Sequence, residues 1–176
     1  MNIKNILIIA AIVAFGALLL FARASIEASD TTPLDASNTA IYEQVKPDVV
    51  TVYKTEACGC CLNWVDHLET NELEVEVVNV TSTAPTREHF GVPPQLLSCH
   101  TGSINGYWVE GHVPADLVQK LITEKPTDIR GISAPGMPMG SPGMEGPNPV
   151  QYDIVAYHAD GTTSVYATRQ GEEAVE

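Results

Sequence analysis

The sequence predicts an α/β domain, because segments with the period of a strand alternate along the chain with segments that have the period of a helix. Residues 49–53 (VVTVY) are β-branched and aromatic, which is typical of a buried strand. Residues 62–71 follow with apolar side chains at helical spacing, and residues 73–80 (LEVEVVNV) then alternate apolar and polar side chains. A strand, a helix and a second strand in this order indicate an α/β fold.

The rest of the chain continues this pattern with shorter elements, separated by Gly and Pro. In chain order we expect a short helix over 86–90, a strand over 104–110 with a hairpin connection at 101–103, a helix over 114–124, a Gly/Pro/Met loop over 131–149, and a final hairpin of strands 151–158 and 162–167. This order is compatible with a thioredoxin-like domain, in which a central mixed sheet has flanking helices, here with an extra C-terminal hairpin and a long Gly/Pro/Met loop.

The N-terminus predicts export to the periplasm. A short basic start is followed by 16 apolar or small residues, from Ile6 to Phe21, and by Ala22-Arg23-Ala24, a small-x-small cleavage site. A membrane helix needs about 20 apolar residues, so cleavage after Ala24 is favoured over retention as an inner-membrane anchor. The expected organisation is a signal peptide over 1–24, a polar linker over 25–46, a folded domain over 47–170 and an acidic tail over 171–176.

The charge of the chain excludes some classes of partner. The full sequence has a net charge of −13, and cleavage after Ala24 removes two basic residues and no acidic one, which gives −15. An acidic protein is repelled by nucleic acid and by anionic membrane surfaces. We therefore expect no nucleic-acid partner, and membrane contact only through an uncleaved N-terminal segment.

All four cysteines lie in two short clusters. Cys58, Cys60 and Cys61 fall in the run ACGCCLNW, and Cys99 stands directly before His100 in the run LSCHTG. Thiolates with an adjacent imidazole are soft ligands that select Cu(I), zinc or an iron–sulfur cluster. Disulfides within the first cluster would close almost no loop and so stabilise little. The clusters therefore indicate redox chemistry or metal binding.

The spacing Cys58-x-x-Cys61 is also that of thiol–disulfide oxidoreductases. A helix N-terminus stabilises thiolates, which serves nucleophilic attack and metal binding alike. A third thiol, Cys60, would only cause mispairing in an oxidoreductase, whereas Cys99 and His100 add metal ligands. Metal binding is favoured, and an oxidoreductase that uses Cys58 and Cys61 is the alternative, as is a structural zinc or disulfide scaffold.

His112 and the methionines of the Gly/Pro/Met loop are weaker candidate ligands. His112 lies at a predicted strand-to-helix turn, where functional groups concentrate. Thioether sulfur suits Cu(I), and the loop contains Met137, Met139 and Met144. The alternatives are a turn role for His112 and packing of the loop by the methionines.

The other histidines are expected at the surface. His67 lies seven residues after Cys60, about 10 Å along a helix, which is too far to share a metal ion. His89 and His158 are likewise expected to face solvent.

Four motifs in order, T-x-x-C-G-C-C-x-x-W, S-C-H-T, V-E-G-H-V-P-A and G-M-P-x-G-S-P-G-M-E, resemble the CopG-like family of small exported bacterial metal-binding proteins of copper resistance. The match runs from about Val49 to Arg169. The resemblance implies a thioredoxin-like domain that binds a thiolate-bridged copper cluster, and a redox role that interconverts Cu(I) and Cu(II). The ligands that it implies are Cys58, Cys60, Cys61 and Cys99, with His100 in or next to the coordination shell.

The predicted function is therefore that of a periplasmic copper-binding protein of copper resistance and homeostasis. It would hold Cu(I), as one ion or several, in a Cys-rich site, with zinc as the alternative ion. Its expected partners are copper ions and a copper exporter or another periplasmic copper protein. A metal-binding protein is favoured over an enzyme, with copper redox activity as an open alternative.

Overall fold

The computed structural model describes residues 41–42 and 46–175. The chain divides into two compact units, Met1–Tyr42 and Glu43–Glu176, and the strands and helices described below belong to the second. The expected signal peptide over 1–24 lies outside the described residues, as does most of the expected linker over 25–46. Among the described residues, no helix has the length and apolar character needed to cross a membrane.

In this part of the chain, eight strands form one sheet, which is accompanied by three α-helices and a 3₁₀-helix. In chain order the elements are β1 (Val49–Lys54), α1 (Gly59–Thr70), β2 (Glu74–Asn79), α2 (Ala84–Phe90), a 3₁₀-helix (Pro94–Leu96), β3 (Thr101–Ile104), β4 (Tyr107–Glu110), α3 (Ala115–Glu124), β5 (Ile129–Ser133), β6 (Gln151–His158), β7 (Thr163–Gln170) and β8 (Glu173–Ala174).

The sheet is mixed, with strand order β2-β1-β3-β4-β5-β6-β7-β8. β1 pairs with β2 and β4 pairs with β5 in parallel, while the other neighbours pair antiparallel. The predicted α/β class with a central mixed sheet is confirmed. The predicted C-terminal hairpin is β6–β7, which joins the sheet through β5, and β8 adds a short edge strand within the segment expected as an acidic tail.

Helices cover both faces of the sheet. In the larger core, Trp64 and Leu68 of α1 and Leu121 of α3 pack with Val109 of β4. Trp108 belongs instead to a smaller core with residues next to α2 and the 3₁₀-helix. Because successive strand residues point to opposite faces, Trp108 and Val109 place these two cores on opposite sides of the sheet.

The hairpin connection predicted at 101–103 is wrong. These residues are fully paired in β3, and the turn is Asn105-Gly106, with φ of 49° and 87°. Positive φ at both central residues is the signature of a tight type I′ hairpin, which Asn-Gly favours. Thr101-Gly102-Ser103 reads as a turn by composition, but all three residues are buried between β1 and β4.

The predicted start of the Gly/Pro/Met loop at residue 131 is wrong, because residues 131–133 belong to strand β5. Gly131 pairs with Trp108 of β4, and the side chain of Trp108 occupies the space that a Cβ at Gly131 would fill, so this strand position requires glycine. A glycine that looks like a loop signal is instead a close-packing requirement. The loop itself runs from residue 134 to residue 150.

Candidate metal centre

Three chain segments meet at one end of the sheet. The strand pairs Tyr53–Thr101 and Thr101–Glu110 place the end of β1, the start of β3 and the end of β4 side by side. The segment after β1 and the first turn of α1 carry three cysteines, the segment before β3 carries Cys99 and His100, and the turn after β4 carries His112. The sheet register therefore brings together residues that are up to 54 positions apart, from 58 to 112.

The four cysteine sulfurs form one group, with all four Sγ atoms within 4.8 Å of one another. Cys58 and Cys61 are joined by a disulfide, and Cys60 and Cys99 are free thiols. The Sγ atom of Cys60 lies 3.6 Å from that of Cys58, and the Sγ atom of Cys99 lies 3.6 Å from that of Cys61. The structure thus brings Cys99 to the three upstream sulfurs, as the metal-site interpretation requires.

Cys99 also belongs to a second group, with His100 and His112, whose donor atoms lie within 4.8 Å of one another. Its Sγ atom is 3.2 Å from Nδ1 of His100 and 3.0 Å from Nε2 of His112. Residues 98–100 precede β3 and have no strand geometry, so the thiol and the adjacent imidazole can face the same site. Cys99 is therefore shared by an all-sulfur group and a mixed sulfur–nitrogen group.

The contacts of His112 fix its tautomer. Its Nδ1 lies 2.7 Å from the carbonyl oxygen of Pro142. A carbonyl can only accept, so Nδ1–H donates this bond, and in the neutral ring the lone pair of Nε2 points toward Cys99. A ligating histidine usually has its second nitrogen held in this way.

Burial keeps both imidazoles neutral. Burial lowers the pKa of His100 well below its usual value, and the electrostatic effect of the neighbouring His112 lowers it further. Burial also lowers the pKa of His112, against the opposing hydrogen bond to Pro142. In the part of the chain that the structure describes, Nε2 of His100 is a buried nitrogen with no hydrogen-bond partner. Neutral imidazole is the form that binds metal ions.

Burial raises the pKa of the Cys99 thiol to about 12, and the nearby Cys60 adds to this rise. Metal-free Cys99 is therefore a neutral thiol near pH 7, and a metal ion must displace its proton to bind the sulfur.

Trp64 forms a wall of this site. Its ring lies 4.3 Å from the ring of His100, centroid to centroid, and its Nε1–H donates to the carbonyl oxygen of Val113 at 2.8 Å. Trp64 thus ties helix α1, which carries Cys60 and Cys61, to the segment that follows His112.

The Gly/Pro/Met loop packs against the cysteine-bearing turn of α1. A Cβ at Gly143 would lie 2.8 Å from both the carbonyl oxygen of Cys60 and the backbone nitrogen of Trp64. Met144, the next residue, is half-buried, whereas Met137 and Met139 are 56% and 43% exposed. The sulfur of Met139 fills the space beside Gly146, within the loop itself. Of the three methionines, Met144 is the one whose neighbour in the sequence, Gly143, packs against α1.

The prediction that His67 is only a surface residue is wrong. Its side chain is 16% exposed, and its Nε2 accepts a hydrogen bond from the backbone N–H of Ala115 at 3.0 Å. Pro114, the N-cap of α3, has no side-chain group that could satisfy this first turn, and His67 supplies the missing acceptor. His89 is exposed, and His158 is half-buried and paired with Asp128 at 3.1 Å. These three histidines belong to neither donor group.

Sequence reasoning gave no role to Glu110, which is fully buried beside this site. Its carboxylate accepts hydrogen bonds from Ser98 and Thr101 and pairs with Arg87. Burial raises the pKa of Glu110, while these hydrogen bonds and the charge of Arg87 oppose the rise. The available signal was an acidic residue that ends the short strand YWVE, whose other residues are apolar.

Two solved structures, described as copper resistance protein CopG in forms 1 and 2, are each 40% identical to this chain. The matches cover 72% and 70% of this chain and 100% and 99% of those chains, and both have a TM-score of 0.66. This chain belongs to the CopG family of copper-resistance proteins. The resemblance read from the four sequence motifs is therefore confirmed.

A family model described as a protein of unknown function, DUF411, matches residues 96–144. This range contains Cys99, His100, His112 and the three methionines of the Gly/Pro/Met loop, and it begins after the cysteines of α1. A search of curated proteins gave no match.

Proposed function

We propose that this protein binds copper as part of copper resistance, and that it holds Cu(I) through its cysteine cluster. The observation that carries the proposal is the convergence of four sulfurs and two neutral imidazoles from three chain segments within reach of common metal ions. Thiolate and imidazole donors of this kind suit Cu(I) and zinc. The CopG relatives favour copper over zinc.

The shared position of Cys99 supports a site with more than one ion. A thiolate sulfur has several lone pairs and can bridge two metal ions. One ion would take sulfurs from the cysteine group, and a second would take Cys99 with the imidazoles of His100 and His112. Met144 is the methionine best placed to add a thioether, because its neighbour Gly143 packs against α1.

The disulfide between Cys58 and Cys61 makes copper loading depend on the redox state of the protein. Two electrons and two protons convert this disulfide to two thiols, which lose their protons when they bind metal. In the oxidised chain, Cys60 and Cys99 are the cysteines that remain as free thiol ligands. Full copper binding is thus a property of the reduced protein.

The proposal places the mature protein in the periplasm, supported by the signal-peptide pattern of residues 1–24. We also assign the domain to the thioredoxin-like class. The element order β1-α1-β2-α2-β3-β4-α3 and the strand order β2-β1-β3-β4 support this assignment, with β5 to β8 as an extension of the sheet.

The test is a Cu(I) titration of reduced protein under anaerobic conditions, in competition with a chromophoric chelator. Wild type should bind at least one Cu(I) tightly, and X-ray absorption should show sulfur-dominated coordination. A variant with Ser at Cys58, Cys60, Cys61 and Cys99 is the control. Equal binding by wild type and this variant would refute the proposal.

A thiol–disulfide oxidoreductase is the second candidate, because the Cys58–Cys61 disulfide lies at the start of α1. Thioredoxin-like enzymes place a reactive pair at such a helix N-terminus. An insulin-reduction assay distinguishes the two functions. Strong turnover that persists in Cys60→Ser and Cys99→Ser variants would favour the oxidoreductase, whereas negligible turnover with tight Cu(I) binding favours the copper protein.

A further inference from the structure

The carboxylate of Glu110 is the centre of a buried polar cluster under the candidate copper site. Its Oε1 accepts a hydrogen bond from the backbone N–H of Ser98 at 2.8 Å and another from Nε of Arg87 at 3.0 Å. Its Oε2 accepts a hydrogen bond from the hydroxyl of Thr101 at 2.6 Å. The side chain of Glu110 is fully buried, and that of Arg87 is only 18% exposed.

Two of these three donors flank the candidate ligands Cys99 and His100 in the sequence. Ser98 stands immediately before Cys99, and Thr101 stands immediately after His100. Arg87 also donates to the carbonyl oxygen of Ser98, so helix α2 holds the same segment from a second side.

Residues 98–100 lie outside the strands, so they lack the regular ladder that would fix their backbone. The hydrogen bond from the Ser98 backbone N–H to the Glu110 carboxylate takes the place of one of these missing backbone hydrogen bonds. The main chain beside Glu110 fastens the same segment, because Gly111 donates its N–H to the carbonyl of His100 at 3.0 Å. Gly111 has a φ of +74°, and a Cβ there would lie 2.5 Å from Cβ of Ser98. The turn that carries His112 and the segment that carries Cys99 are therefore pressed together.

We infer that Glu110, held by Arg87, is a positioning residue that aims Cys99 and His100 at the cysteines of α1. This inference rests on the proposed copper function for its consequence, and on the hydrogen bonds above for its geometry. Stability alone gives little reason for such a pair, because an apolar replacement of a buried ion pair is often as stable. A carboxylate instead offers several acceptor sites, and three donors use them here.

The test uses reduced full-length protein and the substitution Glu110→Gln. Glutamine keeps the size of the side chain, but its amide has one acceptor oxygen and cannot accept from all three donors. The matched control is Asp116→Asn, which removes a carboxylate paired with Arg169 at 2.7 Å, between α3 and β7 and outside both donor groups. We expect a roughly 10–100-fold loss of Cu(I) affinity for Glu110→Gln, as is usual for partners of ligating residues, and about wild-type affinity for Asp116→Asn.

Two further measurements separate positioning from general destabilisation. X-ray absorption of the Cu(I)-loaded Glu110→Gln protein should show a lower sulfur coordination number than wild type. Arg87→Lys keeps the positive charge but loses the planar fork that reaches both Glu110 and Ser98, so it should lose affinity in the same direction by a smaller factor. This variant also keeps the inference testable if Glu110→Gln fails to fold by circular dichroism.

A metal-free measurement makes the inference independent of copper. Alkylation of the reduced apo-protein, followed by peptide mass mapping, gives the rate at Cys99 relative to Cys60, a thiol on α1 that takes no part in the hydrogen bonds joining Glu110, Arg87, Ser98 and Thr101. Glu110→Gln should raise this ratio several-fold, and Asp116→Asn should leave it unchanged. If the wild-type protein bound no Cu(I), the proposed function would be refuted, but the alkylation ratio would still test the positioning role of Glu110. An unchanged ratio together with unchanged affinity and sulfur number would refute the positioning role.

Discussion

The contact of the Gly/Pro/Met loop with helix α1 can be tested by the substitution Gly143→Ala, which adds a single methyl group. Gly143 has a φ of +80°, and a Cβ at this position would meet the backbone oxygen of Cys60 and the backbone nitrogen of Trp64 at 2.8 Å. Both atoms belong to the main chain of α1, which cannot rotate away as a flexible side chain does. Gly143→Ala must therefore push the loop off the helix.

The structure supplies a matched control in the same loop. Gly136 has a φ of +72°, but a Cβ there would meet nothing within 4 Å. Both substitutions put alanine in left-handed backbone, at a cost of about 1–2 kcal/mol. Only Gly143→Ala adds overpacking, which costs about 1–3 kcal/mol more. The expected loss of stability is thus about 1–2 kcal/mol for Gly136→Ala and about 2–5 kcal/mol for Gly143→Ala.

Equilibrium unfolding in urea of the reduced apo-proteins measures this difference. The Gly143→Ala protein should also lose the hydrogen bond from His112 to the Pro142 carbonyl, 2.7 Å long in the wild type, which NMR of the imidazole can follow. Equal destabilisation by the two substitutions, with an unchanged His112 signal, would show that the loop does not press on the helix.

Two other predictions concern groups far from the sulfurs. His67→Ala removes the acceptor of the Ala115 N–H and should cost about 0.5–2 kcal/mol in urea unfolding, as loss of an N-cap does; His67→Gln should recover part of this loss, and no effect of His67→Ala would exclude a capping role. Burial raises the pKa of Tyr166 to about 12, so the unfolded chain releases this proton first, near pH 10. The contribution of Tyr166 to stability is therefore present below about pH 10 and is lost as the pH rises toward 12. Tyr166→Phe should make stability fall less steeply over that range, with little change at pH 7 because the hydroxyl has no partner among the described residues; an unchanged slope would contradict the assignment.

Much of the sheet could be predicted because its signals are local. Apart from Lys54, strand β1 is a run of β-branched and aromatic residues, and it is buried along its whole length. The first helix has apolar side chains at helical spacing, and its buried residues are Cys61, Trp64, Val65 and Leu68. Composition and periodicity report such features directly.

The missed features depend on contacts between distant segments. Gly131 is a strand residue whose missing side chain leaves room for Trp108, and nothing near Gly131 in the sequence indicates this contact. His67 caps α3 across 48 positions. Glu110, at the end of strand β4, is a buried carboxylate whose partner Arg87 comes from helix α2. Each residue takes its role from tertiary packing, which overrides the local preference of a glycine, a histidine or a glutamate.

The same distinction between local and distant contacts determines how copper should stabilise the fold. Cys58, Cys60 and Cys61 lie within four residues, so an unfolded chain can still offer all three thiols to a metal ion. Cys99 is 38 residues from Cys61, and only the folded sheet brings its sulfur to 3.6 Å from that of Cys61. A ligand stabilises a protein by the difference between its affinities for the folded and the unfolded chain. Copper stabilisation should therefore depend strongly on Cys99.

We therefore predict that Cu(I) raises the urea midpoint of the reduced wild-type protein much more than that of Cys99→Ser. The variant retains the three local thiols, which bind both states of the chain, but it loses the sulfur shared by the two donor groups. Cys60→Ser is the matched control, since it also removes one thiol but keeps the sulfur that depends on the fold. Its copper-induced shift should stay closer to that of wild type. Equal shifts for Cys99→Ser and wild type would mean that the metal binds the cysteine turn alone, and that the convergence of the three segments does not contribute to copper binding.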